Sequence, residues 1–240
     1  MGPTIETGRV FTRSFSALAA RFGPLYGSVL VIYIPLIGAL LFVSTLPASE
    51  TTSVLLVALG VIGFALLAPL ASAAVIHGVF LHLRGQDVRF DDCWRGLGSL
   101  WLRVLGVSIL VGLAVLVGYM LCLIPGLIIQ AALFVAIPAL VVERIGVADA
   151  LDRSWKLTDG HRMRIFFIVV GLVLLSVALG FVVGFALSVL GVPTVARELV
   201  SQLLQSVMTA VQAVVAGVVY FDLRELREGL DLDDLAAVFD

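Results

Sequence analysis

Apolar residues along this chain come in long runs rather than in stripes. Runs with few or no charges cover residues 25–46, 54–83, 104–124, 127–142, 165–190 and 199–221. A helix needs about 20 apolar residues to cross a hydrocarbon core roughly 30 Å thick. Inside that core the backbone must satisfy its own polar groups, which favours helices. The pattern therefore predicts an all-α membrane protein with six transmembrane helices. The fourth run is short, and the second is long enough to tilt or to project beyond the bilayer. Only Ile124-Pro125-Gly126 separates the third from the fourth, a link that suits a tight helical hairpin or a re-entrant pair. The first run follows more than twenty residues and precedes five other runs, so it is expected to be retained rather than cleaved as a signal peptide.

Between the runs the pattern changes to a helical period. Phe11, Phe15, Leu18 and Phe22 recur at i, i+4, i+7 and i+11, and Phe90, Trp94, Leu97 and Trp101 repeat the spacing. The third equivalent, Leu151, Trp155, Thr158 and Arg162, keeps the central Trp but ends polar. These segments read as interfacial amphipathic helices, with Arg13, Trp94, Arg95, Arg153 and Trp155 as candidate headgroup contacts. Each precedes a pair of runs. The chain thus reads as one integral membrane domain of three parallel repeats, 4–83, 86–142 and 146–224, with an acidic tail at 225–240.

Charge fixes the expected orientation. Of the connections that would share one side, the first holds Arg9, Arg13 and Arg21, and the second Arg84, Arg89, Arg95 and Arg103. The next holds Arg144, Arg153, Lys156, Arg162 and Arg164, and the last Arg224 and Arg227. The opposite connections hold only Arg197. The positive-inside rule then places both termini in the cytoplasm. Composition agrees with a membrane protein: 61% of residues are hydrophobic and 13% charged, against about 25% charged in soluble domains. Preference for Arg over Lys hints at a bacterial source, hence the inner membrane. Cys93 and Cys122 are expected about a bilayer apart, too far for a disulfide, which needs Cα atoms within roughly 7 Å.

One combination of residues carries a resemblance. Pro138-Ala-Leu-Val-Val-Glu143 followed by Ala150-Leu-Asp-Arg-Ser-Trp-Lys-Leu157, then Tyr220-Phe-Asp-Leu-Arg224 and Glu228-Gly-Leu-Asp-Leu232, is similar to the membrane domain of some bacterial glycerophosphodiester phosphodiesterases. It also resembles related stand-alone six-helix inner-membrane families of uncertain function. The resemblance implies a fold and a location. In the fused members the phosphodiesterase chemistry belongs to a separate soluble barrel, for which this chain has no residues left over.

The residues themselves offer few catalytic patterns. No Walker-type glycine loop, Gly-x-Ser-x-Gly elbow or His-Glu-x-x-His is present. His77 and His82 are five apart, and so diverge around a helix instead of sharing a metal. No catalytic residue, metal or cofactor is expected. Two features stand out as candidate sites. Glu143 lies at the end of the fourth run, where a carboxylate needs a partner or water; Arg153 or Arg164 could pair with it, or it could bind an ion or a headgroup. In the sixth run Glu198, Gln202, Gln205, Thr209, Gln212 and Ala216 form one stripe. Such a stripe either lines a polar path or ligand cradle, or bonds helix to helix. Ser176, Gly180, Gly184 and Ser188 make a small-residue ridge that predicts close helix packing.

The expected function is that of a non-enzymatic inner-membrane protein that binds lipids or membrane partners in envelope homeostasis. A second copy of the chain is one such partner, and nucleic acid is not. The alternative is a transporter or channel with its path along the sixth-span stripe.

Overall fold

In the computed structural model the described residues are 8, 12, 14, 22–44 and 49–228. They form helices joined by short turns, with no strand among them. Most of the first amphipathic ladder, the neighbouring Arg13 and the tail from Gly229 lie outside the described residues. The helices are α1 (Phe22–Ser44), α2 (Glu50–Leu83), α3 (Phe90–Arg95), α4 (Trp101–Leu121), α5 (Leu123–Ala132), α6 (Ala136–Glu143), α7 (Val147–Thr158), α8 (Arg162–Val189) and α9 (Thr194–Glu228). Six stretches are long and apolar enough to cross a membrane: Phe22–Val43, Leu66–Leu83, Trp101–Leu121, Leu123–Glu143, Arg162–Val189 and Thr194–Glu228. These are the marks of a multi-pass membrane protein.

α9 is the central element. Its 35 residues span about 50 Å at 1.5 Å per residue, and it packs against α1, α2, α6, α7 and α8. Small side chains allow this. Ala213, Ala216 and Gly217 are buried, and Gly217 lets Val79 of α2 approach closely. The core around it includes Leu25, Val29 and Tyr33 of α1, Ala71, Ala74, Val75 and Val79 of α2, and inward residues of α4 to α8 such as Val104, Ala139, Leu157 and Ile168. By contrast, α8 from Val173 onward presents Val173, Leu174, Phe181, Val182, Phe185 and Val189 outward, and much of α4 is likewise exposed and apolar. An outer surface this apolar suits lipid as its solvent.

The link between the third and fourth spans is tighter than expected and lies earlier. α4 and α5 are separated by Cys122 alone, in extended conformation (φ −174°, ψ 160°). Pro125 and Gly126 lie within the first turn of α5, where a missing N–H costs nothing. Two glycines let the hairpin close: a Cβ on Gly118 would stand 2.8 Å from the Gly126 Cα. The fourth span therefore starts at Leu123 and runs 21 residues, not the short 127–142 that hydropathy suggests.

That span is broken at residues 133–135. Pro138 explains the position, because proline has no N–H for the carbonyl four residues back and its ring clashes with it. The broken end is capped from outside the helix. The Ala132 carbonyl accepts Ser154 Oγ at 2.8 Å and Thr158 Oγ1 at 3.2 Å, both from α7 and both fully buried. Pro35 and Pro69 lie inside helices that continue past them.

α7 consequently buries Ala150, Ser154, Leu157 and Thr158 against the bundle. Of the expected face, Leu151, Trp155, Thr158 and Arg162, only Thr158 is fully buried there and Leu151 packs at the edge, so the contact is rotated from the expected one. Trp155 is exposed, and Arg162 opens α8. The small side chains at 150 and 154 decide the rotation, since they let α7 reach the broken helix. The second ladder is also interrupted. α3 ends at Arg95, and Gly96 sits so close to His77 that a Cβ there would meet the ring at 2.5 Å. Leu97 is buried, while Phe90 and Trp101 are exposed.

Candidate functional site

Basic side chains collect at one end of the bundle, and their partners hold three helices together. Arg153 on α7 donates Nε to Glu143 of α6, at 2.9 Å from Oε1 and 3.1 Å from Oε2. Its Nη2 pairs with Glu228 at the end of α9. Arg224 completes the chain, donating Nε to Glu228 Oε2 at 2.7 Å. Tyr220, fully buried, donates its hydroxyl to Glu143 Oε1 at 2.7 Å. Burial alone would lower the Arg153 pKa; its hydrogen bonds to Glu228 and Glu143 and their charges outweigh burial and raise it above the ordinary arginine value. Of the two partners expected for Glu143, the structure brings up Arg153. Nearby, Arg84 stacks over the Phe80 ring at 4.0 Å, and Phe80 stacks on Phe221. Burial, then the charge of Arg224, depress the Arg84 pKa.

This clasp leaves little room for a ligand at Glu143. Its carboxylate oxygens already take an arginine and a tyrosine. Sequence reading missed Tyr220, Arg224 and Glu228 as members. The signal was present, because 220, 224 and 228 repeat every fourth residue on one face of α9.

The polar stripe of α9 is distributed over several neighbours. Thr209 donates Oγ1 to the Gln205 carbonyl at 2.9 Å and receives the Tyr33 hydroxyl of α1 at 2.8 Å. Gln212 donates Nε2 to Ser176 Oγ of α8 at 3.3 Å. Gln202 bonds to Glu198 one turn earlier at 2.9 Å, and the Gln205 side chain is half-buried. A second rung lies just off the stripe, where Tyr26 of α1 meets Ser206 at 3.0 Å. The Ser206 and Thr209 hydroxyls on α9 thus act between helices. The ridge on α8 does not pack as expected: only Ser176 finds a polar partner, and Gly180 and Gly184 have nothing within 4 Å of a built Cβ.

Beside α3 lies an open cavity of about 440 Å³, lined by Val31, Phe90, Asp91, Trp94 and Arg95. It brings together Trp94 and Arg95 from the expected headgroup contacts and adds Asp91 and Val31. The Arg95 side chain is 78% exposed, and its nearest carboxylate, Asp92, is 3.7 Å away. The buried Trp94 indole N–H has no acceptor among the described residues. On α7, Trp155 carries the Arg162 guanidinium 4.1 Å over its ring, and Arg162 also donates to the Trp155 carbonyl. Trp155 is therefore engaged from within the protein, although part of it stays exposed.

No family model, no curated protein and no solved structure matches this chain. What the arrangement can do chemically rests on the residues. A bundle-end clasp, bonds between helices, and a half-apolar, half-charged cavity offer binding and positioning. Among the described residues they bring no serine, threonine or cysteine nucleophile beside a general base.

Proposed function

We propose that the chain is a non-enzymatic multi-pass membrane protein that binds phospholipid at the rim of its bundle. Both termini would be cytoplasmic and the membrane the bacterial inner one. The observation that carries this is the exposed Arg95 guanidinium on the wall of a cavity whose other side, Val31, Phe90 and Trp94, is largely apolar. A headgroup phosphate wants the first and an acyl chain the second. Orientation is supported by the collection of Arg84, Arg103, Arg144, Arg153, Arg162, Arg224 and Arg227 at one end, tied to each other's segments by contacts such as Arg103 to the Arg144 carbonyl and Arg227 to Asp159. The resemblance of the 138–157 and 220–232 blocks to membrane domains of phosphodiesterases fits a lipid-side role without an enzymatic one.

A transporter with its path along the α9 stripe is the second reading. The broken fourth span favours it, because discontinuous helices build transport sites. Against it, the carbonyl freed at Ala132 is taken by Ser154 and Thr158, and Thr209 by Tyr33. Native mass spectrometry from mild detergent separates the two. Phospholipid adducts lost in Trp94→Ala and Arg95→Gln, but kept in Gln205→Leu and Gln212→Leu, support rim binding. A small polar molecule lost only in the glutamine variants would overturn it in favour of a path.

A further inference from the structure

Asp91 and Arg95 stand one helical turn apart on α3, and both line the cavity with Trp94 between them. We propose that this cavity selects a zwitterionic phospholipid, carrying phosphate and ammonium in one headgroup, over an anionic one. The inference rests on the lipid-binding reading of the rim.

An acid and a base four residues apart on a helix usually close on each other. Here Arg95 leans instead toward Asp92, at 3.7 Å, which is beyond hydrogen-bond length. Asp91 has neither a hydrogen bond nor an ion pair among the described residues. Two opposite charges are therefore presented side by side, about 5–6 Å apart at their Cβ atoms. In a phosphoethanolamine headgroup two carbons separate phosphate from ammonium, a comparable span. Phosphate on Arg95 and ammonium on Asp91 satisfy both ends at once.

An anionic headgroup such as phosphoglycerol gains Arg95 but brings only neutral hydroxyls to Asp91, so its net negative charge lies beside a carboxylate with no cation to offset it. The local balance argues the same way. Residues 89–95 carry Arg89 and Arg95 against Asp91 and Asp92, so the segment has no surplus positive charge. This distinguishes it from the far more basic clusters that attract acidic lipids. The acyl chain has a floor to lie on. Phe90 packs its ring 3.6 Å from the Gly27 Cβ position, and Val31, one turn further along α1, is 48% exposed.

The test is competition. Delipidated full-length protein in mild detergent is given equal amounts of phosphatidylethanolamine and phosphatidylglycerol with identical chains, and native mass spectrometry reads the adduct ratio. Wild type should favour phosphatidylethanolamine by about threefold to fivefold, what a partly exposed ion pair is worth. Asp91→Asn should bring the ratio to one or below, and Arg95→Gln should reduce both adducts. Both side chains are exposed, so both variants should fold, and an unchanged thermal unfolding curve checks this. A wild-type ratio of one or below, or a preference that survives Asp91→Asn, overturns the selectivity. Equal binding of both lipids, lost in Arg95→Gln, overturns it while lipid binding stands. Binding of neither lipid to wild type overturns both readings.

Discussion

Replacing Glu143 with alanine removes the side chain that touches both Arg153 of α7 and Tyr220 of α9. Two losses follow. The Tyr220 hydroxyl, on a fully buried residue, is left without an acceptor, which costs about 1–3 kcal/mol. Arg153 keeps Glu228 but loses a charge-assisted bond. Its side chain is 28% exposed, so solvent screening limits that loss to about 1 kcal/mol. Glu143→Ala should therefore destabilise by about 2–4 kcal/mol. Tyr220→Phe removes the hydroxyl and strands nothing, because Glu143 retains Arg153, and should cost about 1 kcal/mol. Glu143→Gln keeps an acceptor for Tyr220 and should fall between them. Equilibrium unfolding in mixed micelles of mild detergent and dodecyl sulfate measures all three. A double-mutant cycle with Arg153→Met isolates the pair, with an expected coupling of about 1 kcal/mol. Glu143→Ala within about 0.5 kcal/mol of wild type, or a Tyr220→Phe cost exceeding it, would refute the reasoning.

Other consequences can be checked by simpler means. Gly118→Ala forces a Cβ to 2.8 Å from Gly126 and 2.9 Å from Ile129; it should cost about 1–3 kcal/mol in the same assay, whereas Gly180→Ala should fall within about 0.5 kcal/mol of wild type. Ser154→Ala with Thr158→Val removes the hydroxyls on the Ala132 carbonyl, and hydrogen exchange should then quicken along residues 147–158 relative to α9. Wild-type protein in mild detergent should take up one equivalent of maleimide, at exposed Cys122, because Cys93 is buried and burial raises its thiol pKa; Cys122→Ser should take up none. Thr209→Cys in that background should remain unlabelled by a membrane-impermeant reagent, and rapid labelling would point to a hydrated path along α9.

The spans were legible because hydropathy needs composition alone. The first, third and fifth runs end within a few residues of the helices found, while the sixth helix extends past its run at both ends and the fourth starts earlier. Its start was obscured because Pro125 and Gly126 look like a link but serve as a first turn. The break at 133–135 was harder still. Pro35, Pro69 and Pro138 read alike in the sequence, and what distinguishes Pro138 is two hydroxyls on α7 that cap the freed end. Periodicity marked the ridge on α8 and the stripe on α9 equally well, yet a period says only which residues share a face. Whether that face meets a helix, as at Thr209, or nothing within reach, as at Gly180, depends on neighbours far along the chain. The clasp was half visible for the same reason. Glu143 and Arg153 are ten residues apart, but Tyr220 lies 77 residues from Glu143.

The central position of α9 also sets a timetable for the growing chain. Tyr33 emerges from the ribosome 176 residues before its partner Thr209. At about 5–20 residues per second, that is a wait of roughly 9–35 s. Throughout it α1 and α2 can lean only on each other and on the middle helices. The groove that α9 later fills stays open to lipid and to whatever assists insertion, with Tyr26 and Tyr33 lacking their later partners. Closure of the bundle therefore waits for α9, and any stall before residue 206 leaves both tyrosines unserved.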